Sequence, residues 1–73
     1  MMTIDEFIDV LVEELELEEN ITPDTRFASV EGWSSLSIME TIVLVDREFD
    51  KTIKGTQLMQ CETIKELYDL ISA

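Results

Sequence analysis

The sequence has no histidine, one cysteine, one proline and two glycines. A metal site built from cysteine and histidine is therefore excluded, and Cys61 has no partner for an internal disulfide. A serine or cysteine nucleophile normally needs an adjacent base, and histidine, the usual base, is missing. We therefore expect a protein that is not an enzyme.

Basic residues are also scarce. Five lysine and arginine residues stand against 17 acidic residues, so the formal net charge at pH 7 is −12. Nucleic-acid binding requires clustered positive charge, so this composition excludes it, and it disfavours contact with anionic membranes. We expect protein partners whose surfaces are positively charged.

Long apolar runs are absent too, since none approaches the roughly 20 residues that cross a bilayer. The start of the chain, Met1 to Asp5, lacks the basic segment of a secretory signal, so we expect a cytoplasmic protein. With 73 residues, 45% hydrophobic and 30% charged, the composition predicts one globular domain over residues 1–73. We expect it to be a monomer.

Two threonines open predicted helices. Thr3 and Glu6 have the Thr-x-x-Glu pattern of a capping box, and apolar residues then recur at helical spacing, which predicts a first helix over residues 3–17. Thr63 and Glu66 repeat the pattern and predict a second capping box before the last helix. The apolar positions of the first helix are Ile4, Phe7, Ile8, Leu11, Val12 and Leu15.

A long loop is predicted over residues 18–34, which contain the turn signal around Pro23 and also Gly32 but no sustained period. A loop of this length in a compact domain usually supports a site. The residues expected to pin the loop are Ile21, Phe27 and Val30.

The second predicted helix runs from Ser35 to about Asp50 and has two apolar stripes. One stripe is expected to face the core. The other is rotated by roughly a right angle at about 100° per residue and is either more core or a docking face. The first stripe is Ile38, Ile42, Val45 and Phe49, and the second is Leu36, Met39 and Val43.

A short helix is predicted over residues 56–61, with Leu58 facing inward, and no strand pattern is present. The predicted fold class is therefore all-α. It is a four-helix bundle with three main helices, one short helix and a long loop between the first and second helices.

The loop meets the second helix at Gly32-Trp33-Ser34-Ser35-Leu36. Free backbone N–H groups and the positive end of the helix dipole favour a phosphate at such a junction. A serine there is most often only an N-cap, which contributes about 1 kcal/mol, and Ser34 is a candidate for that role.

The wider pattern resembles the acyl carrier proteins, including the peptidyl and D-alanyl carriers. The likeness covers nearly the whole chain: an acidic first helix, a long loop, Gly-x-x-Ser-Leu at residues 32–36, a helix ending Asp46-Arg47-Glu48-Phe49-Asp50, and Thr63-Ile64 opening the last helix. The resemblance implies a bundle of acyl carrier type in which Ser35 bears 4'-phosphopantetheine derived from coenzyme A.

The resemblance also implies a docking surface for a phosphopantetheinyl transferase and for acyl-handling synthase, ligase or transferase enzymes. Such a carrier tethers intermediates as thioesters at high effective concentration and catalyses nothing itself. Fatty acid and polyketide biosynthesis both use this scaffold. The matching docking positions are Leu36, Met39, Glu40, Val43 and Asp46.

Two positions depart from the family pattern. The family usually has Asp-Ser-Leu where this chain has Ser34-Ser35-Leu36, and Ser37 stands where an acidic residue is frequent. Both departures remove negative charge beside the site. Ser34 is therefore an alternative acceptor, although Leu36 favours Ser35.

Other interpretations stay open at this point. The cargo of a peptidyl, aminoacyl or D-alanyl carrier would differ, and an unmodified acidic helical docking or inhibitor module would bind a basic partner without any prosthetic group. The start at Met1 without a linker and the end at Ala73 just past the last helix lead us to expect a free-standing carrier.

Overall fold

The computed structural model describes residues 2–73, and helices dominate this part of the chain. Three main helices and one short helix are present, as predicted, and no described helix is both long and apolar enough to cross a membrane. The elements are α1 (Ile4–Leu15), a 3₁₀ turn (Phe27–Ser29), α2 (Ser35–Phe49), α3 (Gly55–Gln60) and α4 (Ile64–Ser72).

The predicted capping box at the start of α1 is confirmed. The Thr3 N–H donates to Glu6 Oε1 at 2.8 Å, and the Glu6 N–H donates to Thr3 Oγ1 at 3.2 Å. The helix ends two residues earlier than predicted, because Glu16 adopts a left-handed conformation with φ 53° and the Leu17 N–H donates to the Val12 carbonyl.

The core lies where one face of every helix meets the others. Phe7 stands at its centre, with its ring 5.5 Å from Phe49 in an edge-to-face arrangement and 6.1 Å from Tyr68. Burial of one such apolar side chain contributes about 1.5–3 kcal/mol. The fully buried side chains are Phe7, Leu11, Thr41, Leu44, Val45, Leu58, Ile64, Leu67 and Ile71.

The buried face of α2 differs from the predicted stripe. Val45 is fully buried, but Ile38, Ile42 and Phe49 are half-buried, and Thr41 and Leu44 occupy the centre instead. Thr41 tolerates burial because its hydroxyl donates to the Ser37 carbonyl at 2.8 Å. The predicted stripe does face the core, since Ile38, Ile42 and Phe49 pack against it, but Thr41 and Leu44, which the stripe left out, are more deeply buried.

The second stripe of α2 is exposed, which decides the alternative that the sequence left open. Leu36, Met39 and Val43 are 64%, 63% and 63% exposed. These three side chains do not belong to the core, so they form an apolar strip on the outer surface of the bundle.

The loop before α2 is pinned as predicted, since Ile21, Phe27 and Val30 are buried. The structure adds an antiparallel bridge between Arg26 and Thr63. In this bridge the Phe27 N–H donates to the Glu62 carbonyl at 3.0 Å, and the Ile64 N–H donates to the Thr25 carbonyl at 3.2 Å. The loop is therefore attached to the start of α4 by backbone hydrogen bonds.

The short helix α3 begins at Gly55, one residue before the predicted start, and Leu58 faces inward as predicted. The second predicted capping box is only half present. The Glu66 N–H donates to Thr63 Oγ1 at 3.2 Å, but Glu66 Oε1 accepts from the Glu62 N–H rather than from the N-cap backbone. This differs from the box at Thr3, in which the glutamate carboxylate accepts from the N-cap N–H itself.

Candidate functional site

A tight turn brings the loop to the start of α2. Gly32 adopts φ 81°, a conformation that glycine reaches without strain. The Trp33 N–H then donates to the Val30 carbonyl at 3.2 Å, and the Trp33 ring stacks on Phe27 with centroids 4.7 Å apart. This stack fixes the end of the loop against the bundle, one residue before the N-cap Ser34.

Ser37 holds the junction from inside α2. Its hydroxyl accepts from the Ser34 N–H at 3.2 Å and donates to the Gly32 carbonyl at 3.3 Å, and the residue is 9% exposed. Sequence reasoning noted only that an acidic residue was missing here. A serine three positions after a serine N-cap is a signal that could have predicted this role.

Ser35 is exposed and is the first residue of α2. The Ile38 N–H donates to the Ser34 carbonyl at 3.0 Å, so the N–H groups of the residues before Ile38 have no carbonyl partner within the helix. No acidic residue occupies the first turn of α2. The positive end of the helix dipole is therefore not offset locally, and the junction fits a phosphate ester.

The model of the family described as "phosphopantetheine attachment site" matches residues 5–71. The chain belongs to this family. It is a phosphopantetheine-carrying protein, its cofactor is 4'-phosphopantetheine, and it is a carrier rather than an enzyme. The resemblance and the carrier-type bundle expected from the sequence are confirmed. No solved structure matches the chain at a significant level.

Membership in the family also implies interaction with a phosphopantetheinyl transferase and with biosynthetic enzymes. The structure places every predicted docking residue of the carrier on the outside of α2. Leu36, Met39 and Val43 form the apolar strip, and Glu40 and Asp46 are exposed. Apolar residues grouped on a surface mark a site of protein contact more often than scattered ones do.

Met59 on α3 is a further exposed apolar residue that sequence reasoning missed. It is 70% exposed, more than any residue of the α2 strip. The predicted inward position of Leu58 could have indicated the exposure of Met59, because successive residues on a helix are rotated by about 100°. The carrier therefore exposes large apolar side chains on α3 as well as on α2.

The cation near the end of α2 is neutralised by neighbouring carboxylates. Arg47 Nε lies 2.9 Å from Glu48 Oε2, and Arg47 Nη2 lies 2.7 Å from Glu14 Oε1 on α1. Hydrogen bonds to Glu48 and Glu14 raise the pKa of Arg47 above its ordinary value. Solvent screens exposed pairs of this kind, so the pairing adds little stability and leaves the carrier surface acidic.

Proposed function

We propose that the carrier holds its 4'-phosphopantetheine on Ser35 and presents acyl intermediates to separate biosynthetic enzymes. The observation that supports this proposal most is the position of Ser35, an exposed hydroxyl at the first residue of α2 and within the stretch that the family model matches. When bound, the group supplies a terminal thiol that holds an acyl group as a thioester. The residues around Ser35 fix the position of its hydroxyl and determine the electrostatic field at this point.

Three features favour Ser35 over Ser34 as the acceptor. Ser35 lies on the helix that bears the exposed strip, whereas Ser34 is the N-cap residue. The Ser34 N–H is bonded to Ser37, so the Ser34 backbone is part of the junction that positions its neighbour. A transferase that docks on Leu36 also meets Ser35 directly, because the two residues are adjacent.

We propose Leu36, Met39, Glu40, Val43 and Asp46 as the contact surface for the partner enzymes. Their exposure and the net charge of −12 support partners with basic surfaces. Opposite charges raise the rate of encounter, and the small apolar strip limits the affinity. Binding is therefore expected to be transient and to weaken with added salt.

We also propose that residues 1–73 act as one carrier domain, as a monomer in the cytoplasm. Buried residues from all four helices support the single domain, since Phe7, Leu44, Leu58 and Leu67 share one core. A single cysteine without a disulfide partner fits a reducing compartment.

The acceptor is tested by intact mass measurement after incubation with coenzyme A and a broad-specificity phosphopantetheinyl transferase. We expect a gain of one phosphopantetheinyl group in the wild-type chain and in Ser34→Ala, and no gain in Ser35→Ala. A gain that survives in Ser35→Ala would move the acceptor to Ser34. No gain in any variant, repeated with a transferase from the source organism, would contradict the proposal.

The docking surface is tested by the kinetics of the same loading reaction. Met39→Ala should raise the KM of the carrier for the transferase several-fold, because it removes an exposed apolar contact. Leu70→Ala removes an exposed apolar side chain from α4 and should leave KM unchanged. Equal KM values for the two variants would refute a docking role for Met39.

A further inference from the structure

The loop makes its last turn before the acceptor at residues 30–33, and a backbone hydrogen bond between the first and last of these residues closes it. Gly32, at the third position, has φ 81°, the conformation that a type II turn requires there. A carboxylate from outside the turn also binds it: the Glu31 N–H donates to Glu19 Oε2 at 2.6 Å. Because Glu19 lies just past the end of α1, this bond links the turn to that helix.

Packing of its own side chains does not hold this turn in place. Glu31 and Gly32 are exposed, and no heavy atom beyond the chain neighbours lies within 4 Å of the position that a Cβ on Gly32 would occupy. A cavity of about 300 Å³ opens beside the turn, and Glu19, Gly32 and Ser37 are among the residues that line it. The middle of the turn therefore has room to move, and its hydrogen bonds fix its conformation.

Two further hydrogen bonds couple the turn to the acceptor. The Gly32 carbonyl accepts from the Ser37 hydroxyl at 3.3 Å, and the same hydroxyl accepts from the Ser34 N–H at 3.2 Å. Ser34 directly precedes Ser35, so a shift of the turn moves the backbone that carries the acceptor hydroxyl. The bond from Glu19 therefore lies at one end of a series of contacts that leads to Ser35.

We propose that Glu19 is a positioning residue for the loading of Ser35. Its carboxylate oxygen holds the turn in the conformation that presents the Ser35 hydroxyl to the transferase, and it takes no part in the transfer itself. This inference rests on the proposed attachment at Ser35 and adds a residue that sets the geometry of the acceptor. A displacement of about 1 Å can lower a rate by roughly 100-fold, so a small shift of the turn is enough to slow the transfer step.

The variants of the test separate the hydrogen bond of Glu19 from its charge. Glu19→Ala removes both, whereas Glu19→Gln removes the charge and keeps an amide oxygen that can accept from the Glu31 N–H. Glu18→Ala is the matched control, because Glu18 is exposed, lines the same cavity and carries the same charge one residue away.

Loading is followed by intact mass in single turnovers, with saturating coenzyme A and the transferase in excess over the carrier. The maximal rate then reports the transfer step, and the half-saturating transferase concentration reports docking. We expect Glu19→Ala to lower the maximal rate by roughly tenfold and to leave the half-saturating concentration within about twofold of wild type. Glu19→Gln and Glu18→Ala should keep maximal rates within about twofold of wild type.

The hydrogen bond itself is checked in the proton–nitrogen correlation NMR spectrum. Hydrogen bonding deshields an amide proton, so the Glu31 amide proton should move upfield in Glu19→Ala and much less in Glu19→Gln. Far-ultraviolet circular dichroism should show that all three variants fold, because Glu18 and Glu19 are exposed and lie outside the helices.

The outcomes separate the inference from the function on which it rests. A wild-type maximal rate in Glu19→Ala, or a Glu31 amide proton that does not move, would overturn the positioning role and leave the proposed function intact. An equal loss of rate in Glu19→Gln or Glu18→Ala would assign the effect to charge and overturn the role as well, as would a rise in the half-saturating concentration alone. No mass gain with the wild-type chain would overturn the proposed function itself.

Discussion

The first two helices begin in different ways. At the start of α1, Thr3 and Glu6 satisfy each other's backbone N–H groups, and Asp5 and Glu6 place two acidic residues in the first turn. At the start of α2 the neutral hydroxyl of Ser37 accepts from the Ser34 N–H and donates to the Gly32 carbonyl, and the first turn has no acidic residue.

This difference separates a helix start that serves stability from one that is compatible with a bound anion. A carboxylate at a helix N-terminus interacts favourably with the dipole and satisfies free N–H groups. At α1 the acidic residues Asp5 and Glu6 already supply that negative charge. At α2 the neutral serines hold the turn without adding negative charge. A phosphate ester on Ser35 therefore meets no like charge within the first turn.

Removal of the Ser37 hydroxyl should have the largest effect of the changes that test this comparison. Ser37→Ala deletes two hydrogen bonds of a residue that is 9% exposed, and we expect a loss of about 1–2 kcal/mol in the free energy of unfolding. Urea denaturation measures it. Ser29→Ala removes an exposed hydroxyl that donates to the Arg26 carbonyl and should cost less than about 0.5 kcal/mol. Equal costs for the two variants would mean that Ser37 does not hold the junction.

Removal of the N-cap hydroxyl of α1 should lower the free energy of unfolding slightly less than Ser37→Ala does. Thr3→Ala removes the hydroxyl that accepts from the Glu6 N–H, and we expect a loss of about 1 kcal/mol in unfolding free energy. The rate of phosphopantetheinyl loading should not change, because α1 lies outside the proposed acceptor site. A slower loading rate would show that the two helix starts are not independent.

The two helix starts should also respond differently to acid. The hydrogen bond from the Thr3 N–H holds the pKa of Glu6 below its ordinary value. The stability that this charge contributes is present above the unfolded-state pKa and is lost as the pH falls through the folded-state pKa. The difference in unfolding free energy between wild type and Glu6→Gln should therefore be present at pH 7 and shrink as the pH falls below the ordinary pKa of a glutamate. The difference for Ser37→Ala should persist at both pH values.

Addition of a carboxylate at the start of α2 should give the smallest change in stability among these variants. Ser34→Asp places a negative charge at the dipole and should stabilise the unmodified carrier by about 0.5 kcal/mol. After loading, the phosphate on Ser35 lies beside the new carboxylate, so the gain should shrink or reverse. Thermal unfolding of both forms measures this, with Ser34→Asn as the uncharged control. A gain of the same size after loading would be evidence against an anion at Ser35.

Much of the fold could be predicted from local patterns. The capping box at Thr3, the start of α2 at Ser35 and the inward position of Leu58 follow from neighbouring residues, and the structure agrees with each. The end of α1 and the second capping box were predicted less well. The first depends on the left-handed conformation of Glu16, and the second depends on the Glu66 carboxylate, which accepts from the Glu62 N–H rather than from that of Thr63.

The site shows where local patterns stop being sufficient. The sequence could not show whether Leu36, Met39 and Val43 are exposed, because the side of α2 that is buried includes a polar residue, Thr41, whose hydroxyl is satisfied by the Ser37 carbonyl. The groove that opens between the 3₁₀ turn, the start of α2 and α3 could not be predicted either. Its walls come from three segments that are distant in the sequence, and only the tertiary fold brings Phe27 and Met59 to one cavity.

The bridge between Arg26 and Thr63 also has a consequence for the newly synthesised chain. The loop that leads to Ser35 has its backbone partners at Glu62 and Ile64, so the bridge can form only once residues 62–64 have left the ribosome. A chain truncated before Glu62 therefore lacks the hydrogen bonds that anchor the approach to the acceptor serine.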